Sequence, residues 1–174
     1  MANSEIDKLK NTLGMGARAN KYRVIINGDG KRFSFGEEAD ILCKSASIPS
    51  RSFAEIEIWN QGKLTVVAGD ASYGDTWSVT FLDTEDHQMR TQFNEWMEFI
   101  DSVNTNARGA NNHDEYMSTA VLQQLSTVDN SVTAEYTFYD IWPKNMSESA
   151  LSDDSQELIE FSIEFNYTTW EKTQ

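Results

Sequence analysis

Cysteine is nearly absent from this chain. Cys43 stands alone, so no internal disulfide can form, and folding in a reducing cytoplasm is the expectation. Histidine is scarce as well. His87 lies near an expected helix start and His113 in a polar loop, which with one distant cysteine gives no metal-ligand spacing. Cations are few: 14 Lys and Arg face 28 Asp and Glu, a net charge of −14. Tight, sequence-independent binding of nucleic acid needs cations to neutralise phosphates; this chain repels a polyanion. No apolar run approaches the roughly 20 residues of a membrane span. The opening MANSEIDKLK lacks the apolar h-region of a secretory signal.

Catalytic signatures are missing too. Asn27-Gly28-Asp29-Gly30-Lys31 has neither the GxxxxGK[ST] spacing of a phosphate loop nor a helix behind it. Read as a calcium loop ending at Glu38, it puts Lys31 where a ligand belongs and Arg32 where glycine is needed. A hairpin turn accounts for it. There is no G-x-S-x-G, and carboxylates are too plentiful to single out a glycosidase pair. Asn145-Met146-Ser147 and Asn166-Tyr167-Thr168 match glycosylation acceptors, which carry no meaning without a secretory signal. The expectation is a non-enzyme with no cofactor, no metal and no small-molecule ligand.

What is present is a core-forming alphabet. Five Trp, six Tyr and nine Phe in 174 residues argue for one folded domain rather than disorder. Ile6, Leu9 and Leu13 recur at helical spacing until Gly14 and Gly16. Residues 1–15 are therefore expected to form a helical arm, marginal alone, and residues 16–174 the main domain. From Tyr22 the period becomes two. Tyr22, Val24 and Ile26 read as a strand, and Phe33 and Phe35 as its return. Residues 40–48, 53–59, 63–68, 76–82, 116–125, 132–139 and 159–167 complete about eight strands. On 53–59, Ala54, Ile56 and Ile58 alternate with Glu55 and Glu57. Met89, Phe93, Trp96, Met97 and Ile100 form one helical stripe, with Asp83 or Thr84 expected as N-cap and Glu85 and Asp86 in the first turn. Trp77, Phe81, Phe93, Trp96 and Phe161 are the expected core. Residues 104–115 and 144–156 read as loops. The fold class is mainly β: an antiparallel sandwich or partial barrel with one flanking α-helix.

Charge is uneven along the chain. Residues 1–52 carry nine basic and six acidic residues, net +3, and residues 53–174 carry five and 22, net −17. One end of a copy can attract the other end of the next.

Several segments, in order, resemble the tail tube proteins of contractile-tailed bacteriophages. They are Gly16-Ala17-Arg18-Ala19-Asn20-Lys21-Tyr22, with alanine at 19 where that family usually has proline, and Ala68-Gly69-Asp70 followed by Asp75-Thr76-Trp77-Ser78-Val79-Thr80-Phe81. Then come Phe93 and Trp96 on the helix, Asp140-Ile141-Trp142-Pro143-Lys144-Asn145, and the closing strand to Tyr167–Trp170. The resemblance spans about residues 16–171 and implies a structural virion protein. Its subunits would form a homo-hexamer ring, completing an intersubunit β-barrel, and rings would stack head to tail into a tube. Implied partners are the sheath, baseplate and tail-terminator proteins, and a tape measure protein in the lumen. DNA would pass through without tight binding. The implied location is the virion tail, after assembly in the host cytoplasm.

Within that frame, Glu55, Glu57, Glu135, Glu160 and Glu164 are candidates for the lumen, where an acidic wall keeps a duplex sliding. Glu95, Glu98 and Asp101 on the polar helix face are candidates for a basic region of the sheath; a merely solvated face is the alternative. Ile6, Leu9, Arg51, Phe53 and Trp59 are candidates for ring stacking, Trp59 being equally readable as core. Rival readings are a tube-like baseplate protein that starts or caps the tube, a tube from a DNA-free injection machine, and a carbohydrate-binding β-sandwich using Trp59 or Trp170 as a stacking platform.

Overall fold

The computed structural model describes residues 3–14, 16–27, 33, 35–74, 76–103, 108–149, 151–152 and 156–173. Among them are nine strands: β1 (Tyr22–Asn27), β2 (Cys43–Ala46), β3 (Ser52–Asn60), β4 (Lys63–Ser72), β5 (Thr76–Leu82), β6 (Ser118–Leu125), β7 (Val132–Met146), β8 (Glu160–Asn166) and β9 (Thr169–Lys172). Three α-helices accompany them: α1 (Asn3–Leu13), α2 (Glu38–Leu42) and α3 (Gln88–Ile100).

Seven strands form one antiparallel sheet: six follow the path β1-β6-β7-β8-β5-β2, and β9 pairs with β7 off that path. The long strand β7 serves both halves of this sheet. Its first half pairs β6 and β9, and Trp142–Met146 pairs β8. The bend between the halves falls at Asp140, whose φ of 57° lies in the left-handed region, and at a register shift between Pro143 and Asn145. The two half-sheets thereby face each other. Trp77 of β5 stacks on Phe138 of β7 with centroids 4.4 Å apart.

Period-two alternation decides which side chains turn inward. Trp77, Val79 and Phe81 on β5 and Phe161, Ile163 and Phe165 on β8 are all buried. Helix α3 lays its stripe of Met89, Phe93 and Trp96 on the same surface. Phe33 and Phe35 belong to no strand. They pack under α3 instead, Phe35 stacking on Phe93 at 4.3 Å and Phe33 on Trp96 at 5.7 Å, because that aromatic pocket buries both rings. The turn expected at 27–30 falls mostly outside the described residues.

Other boundaries shift for local reasons. Residues 38–42 turn once as α2, which buries Ala39, before β2 begins. Helix α3 starts at Gln88 rather than beside Asp83, because the Asp83 backbone N–H still donates to the Ile159 carbonyl and Thr84–His87 close a turn first. The N-cap is His87, at φ 50°, and no acid occupies the first helical turn. Its ring Nδ1 donates to the buried Asp83 carboxylate at 2.6 Å. Strand β7 runs to Met146, into the expected loop, and the closing strand breaks after Asn166 so that β9 can return along β7.

Candidate assembly interfaces

Strands β3 and β4 form a separate two-stranded sheet that pairs with no other described strand. Every residue of β3 is exposed, and in β4 only Gly69 and Ala71 are half-buried. Alternation still separates Ile56 and Ile58 from Glu55 and Glu57, but neither face meets the body. Glu57 stands opposite Val66 and Trp59 opposite Leu64, so acids and large apolar groups share one face. Ile56 and Ile58 share the other with Val67 and Thr65. Trp59 is 66% exposed and Phe53 57%, which removes the core reading of Trp59. A lone two-stranded hairpin is marginal in water. This one also exposes apolar side chains on both faces, beyond the scattered singles normal for a surface.

The hairpin's root is tied down by aromatic donors. Trp77 Nε1 donates to the Ser47 carbonyl at 2.8 Å, Trp170 Nε1 to the Ser50 and Tyr73 carbonyls at 3.1 and 3.2 Å, and Tyr167 Oη to the Tyr73 carbonyl at 2.5 Å. The Arg51 guanidinium lies over Tyr73, 4.9 Å from its centroid, and over Phe53 at 5.4 Å. Sequence reading missed Tyr73, Tyr167 and Trp170 here. It also missed the exposure of Leu64, Val66 and Val67, for which a strand apolar on both faces was the available signal. The second projecting element is α1, whose Ile6 and Leu9 are 50% and 63% exposed.

The five candidate lumen acids lie on three surfaces. Glu55 and Glu57 are on the hairpin. Glu135 is on the outward side of β7, accepting from Gln123 Nε2 at 2.7 Å. Glu160 and Glu164 share the outward side of β8, with Glu160 paired to Lys44 and Glu164 opposite Ser78. Between them, Thr80 and Ser162 hydroxyls bond across the ladder at 2.9 Å.

The candidate sheath acids do come together. Glu95, Glu98 and Asp101 line an open groove of about 1050 Å³ between α3 and the end of β7, opposite Trp142, Lys144 and Asn145. Ser102 Oγ donates to Glu98 at 2.8 Å. One wall of this groove is acidic, and Phe33, Phe99 and Met146 supply apolar lining.

The sheet path ends at β1 and β2, and these ends approach each other without a ladder. Tyr22 Oη donates to the Cys43 carbonyl at 3.1 Å, and Asp40 accepts from the Val24 N–H at 3.2 Å and pairs with Arg23 at 3.0 Å. Burial pushes the Tyr22 phenol up to about 12, with the neighbouring Cys43 adding to it. Burial likewise pushes the Cys43 thiol up to about 11. No group of His, Cys, Asp or Glu among the described residues is arranged to hold a metal ion.

The sequence profile of the phage tail tube protein family matches residues 14–173. The chain belongs to that family. This tail tube chain is 28% identical over 156 residues to tail tube protein gp19 of Enterobacteria phage T4, covering 89% of this chain and 91% of that one, and equally to gp19 of Enterobacteria phage T6. Its fold is similar to that of a chain in the extended-state sheath–tube complex of the PVC extracellular contractile injection system. There the TM-score is 0.66 at 8% identity, covering 95% of this chain and 96% of the other. A chain of the anti-feeding prophage baseplate matches with a TM-score of 0.64 at 12% identity, over 90% and 94%. The tail tube family and the mainly β fold agree with the reading from sequence.

Proposed function

We propose that copies of this chain form hexameric rings that stack head to tail into the rigid tube of a contractile tail. The observation that carries this reading is the self-paired hairpin β3–β4, apolar on both faces and open on both edges. Such a hairpin gains its missing burial from neighbouring copies. Phe53, Trp59 and Arg51 meet the next ring, joined by Ile6 and Leu9 of the 1–15 arm, and the opposite charges of the two chain halves favour a head-to-tail arrangement. The outward sheet faces contribute to an intersubunit barrel, with Glu135, Glu160 and Glu164 toward the bore and Glu55 and Glu57 at the ring junction.

An acidic bore suits DNA transit. Screening extends only about 8 Å at physiological salt, so a duplex close to the wall feels its field and gains no phosphate contacts to stall it. The groove acids Glu95, Glu98 and Asp101 take a basic segment of the sheath. Rim charge pairs of this kind are worth about 0–1 kcal/mol each, weak enough for a sheath that must slide away. A baseplate below, a terminator above and a tape measure protein inside complete the partners. The role is structural and not enzymatic, in the virion tail after assembly in the host cytoplasm.

Negative-stain microscopy of the purified protein tests this directly. Hollow tubes are expected; single rings alone would favour a baseplate ring, and monomers would refute stacking. For the bore, replacing Glu135, Glu160 and Glu164 with lysine is expected to leave tubes intact and lower DNA delivery. Unchanged delivery would discard the acidic-bore role.

A further inference from the structure

We infer that Tyr167 and Trp170 are positioning residues: the C-terminal end of the chain fixes the direction in which the hairpin projects. The pair acts beside Trp77, whose Nε1 holds the Ser47 carbonyl from β5. The hairpin shares no strand pairing with the rest of the described fold, so its attitude depends on its two root segments, Ser47–Arg51 and Tyr73–Gly74. The single Trp170 Nε1–H bridges both roots as a forked bond, shared between the Ser50 carbonyl on one side and the Tyr73 carbonyl on the other. Tyr167 Oη adds a second donor to the same Tyr73 carbonyl. One carbonyl oxygen has two lone pairs, and these two donors occupy them.

Both donors pack against the body, Trp170 also touching the root residue Tyr73. Tyr167 is 7% exposed and meets Phe138 edge-on at 5.3 Å. Trp170 sits on β9 opposite Phe138 and meets Tyr136 and Tyr73 edge-on at 5.9 and 6.4 Å. The fit at the root is tight. Gly74 has φ 85°, and a Cβ there would lie 2.7 Å from Tyr167 Oη and 3.4 Å from Ser50 Oγ. Only glycine combines that left-handed backbone with so close an approach. A bridging donor on a rigid strand, over a root with no space for a side chain, leaves the hairpin little freedom to swing. An element that must find the same place on each neighbouring copy binds better when its direction is set beforehand.

This inference rests on the stacking role of the hairpin, and the test separates the two. Tyr167→Phe keeps its ring and removes the O–H donor; Trp170→Phe keeps an aromatic side chain, smaller than the indole, and removes the N–H donor. Amide hydrogen exchange on unassembled double variant and wild type, followed by microscopy of both under tube-forming conditions, reads clamp and stacking separately. The double variant is expected to exchange at least about tenfold faster across residues 47–74, with β5 and β8 unchanged, and to give short or no tubes. Restoring either donor singly should recover part of both effects. Unchanged exchange at 47–74, or equal acceleration in β5 and β8, overturns the clamp. Wild type that exchanges slowly at the root yet forms no tubes overturns stacking and leaves the clamp standing.

Discussion

The body and the hairpin obey the same period-two rule with opposite outcomes. On β5, alternation sends Trp77, Val79 and Phe81 into complete burial and leaves Thr76 and Ser78 outside. On β3 the same alternation separates Ile56 and Ile58 from Glu55 and Glu57, and nothing covers either side. The difference lies in what each strand meets. The bend of β7 folds one half-sheet over the other, and α3 covers the remaining aromatic surface; the hairpin leaves the sheet before it can share either. The same pattern thus buries apolar side chains in one place and leaves them bare in the other.

Substitutions can set the two regions against each other. The largest effect on stability belongs to the body. Phe93 packs within 4.3–6.3 Å of Phe35, Phe81, Phe161 and Phe165, so Phe93→Ala is expected to cost about 3–5 kcal/mol in denaturant unfolding. A loss under about 1 kcal/mol would mean that α3 is not the cover described. The hairpin is expected to respond in assembly instead. Ile58→Lys with Trp59→Lys should shift monomer stability by no more than about 0.5 kcal/mol while abolishing tubes. Loss of the fold, or normal tubes, would erase the contrast. Deleting residues 1–15 should shorten stacks toward single rings without moving the unfolding midpoint, and unchanged tube lengths would remove the arm from the interface.

The smallest effect is at the seam of β1 and β2. Tyr22 and Cys43 are both raised in the folded chain, from 10.0 to about 12 and from 9.0 to about 11. Their contribution to stability is complete below pH 9 and is lost as pH rises from 9 through 12. At pH 9, alkylation of Cys43 in native protein should run tens of times slower than in unfolded chain, as about two pH steps of thiolate suppression imply. Equal rates would show the seam open.

How far the sequence foretold this can be read from particular residues. Strands β5, β6 and β8 and the apolar stripe of α3 were legible because one face is buried and the other wet, which is what alternation encodes. Phe33 and Phe35 were not. Their spacing is that of a strand, but their partners on α3 lie about sixty residues away, and tertiary packing decided. Of the three candidate sheath acids, Glu95 and Glu98 were legible on the polar face of α3, whereas Asp101 lies just past the helix end in extended backbone. The candidate lumen acids were not legible as a set, since each strand reports only its own two sides and not which sheet it joins. The clamp was hidden for the same reason: Trp170 Nε1 reaches back 120 residues to Ser50.

The claim on which the account rests is that neighbouring copies complete the hairpin. A cryo-EM reconstruction of the assembled protein tests it most directly. The account predicts sixfold rings in which Phe53, Ile58 and Trp59 are buried against adjacent copies. Rings or tubes with β3–β4 still bare to solvent would contradict it.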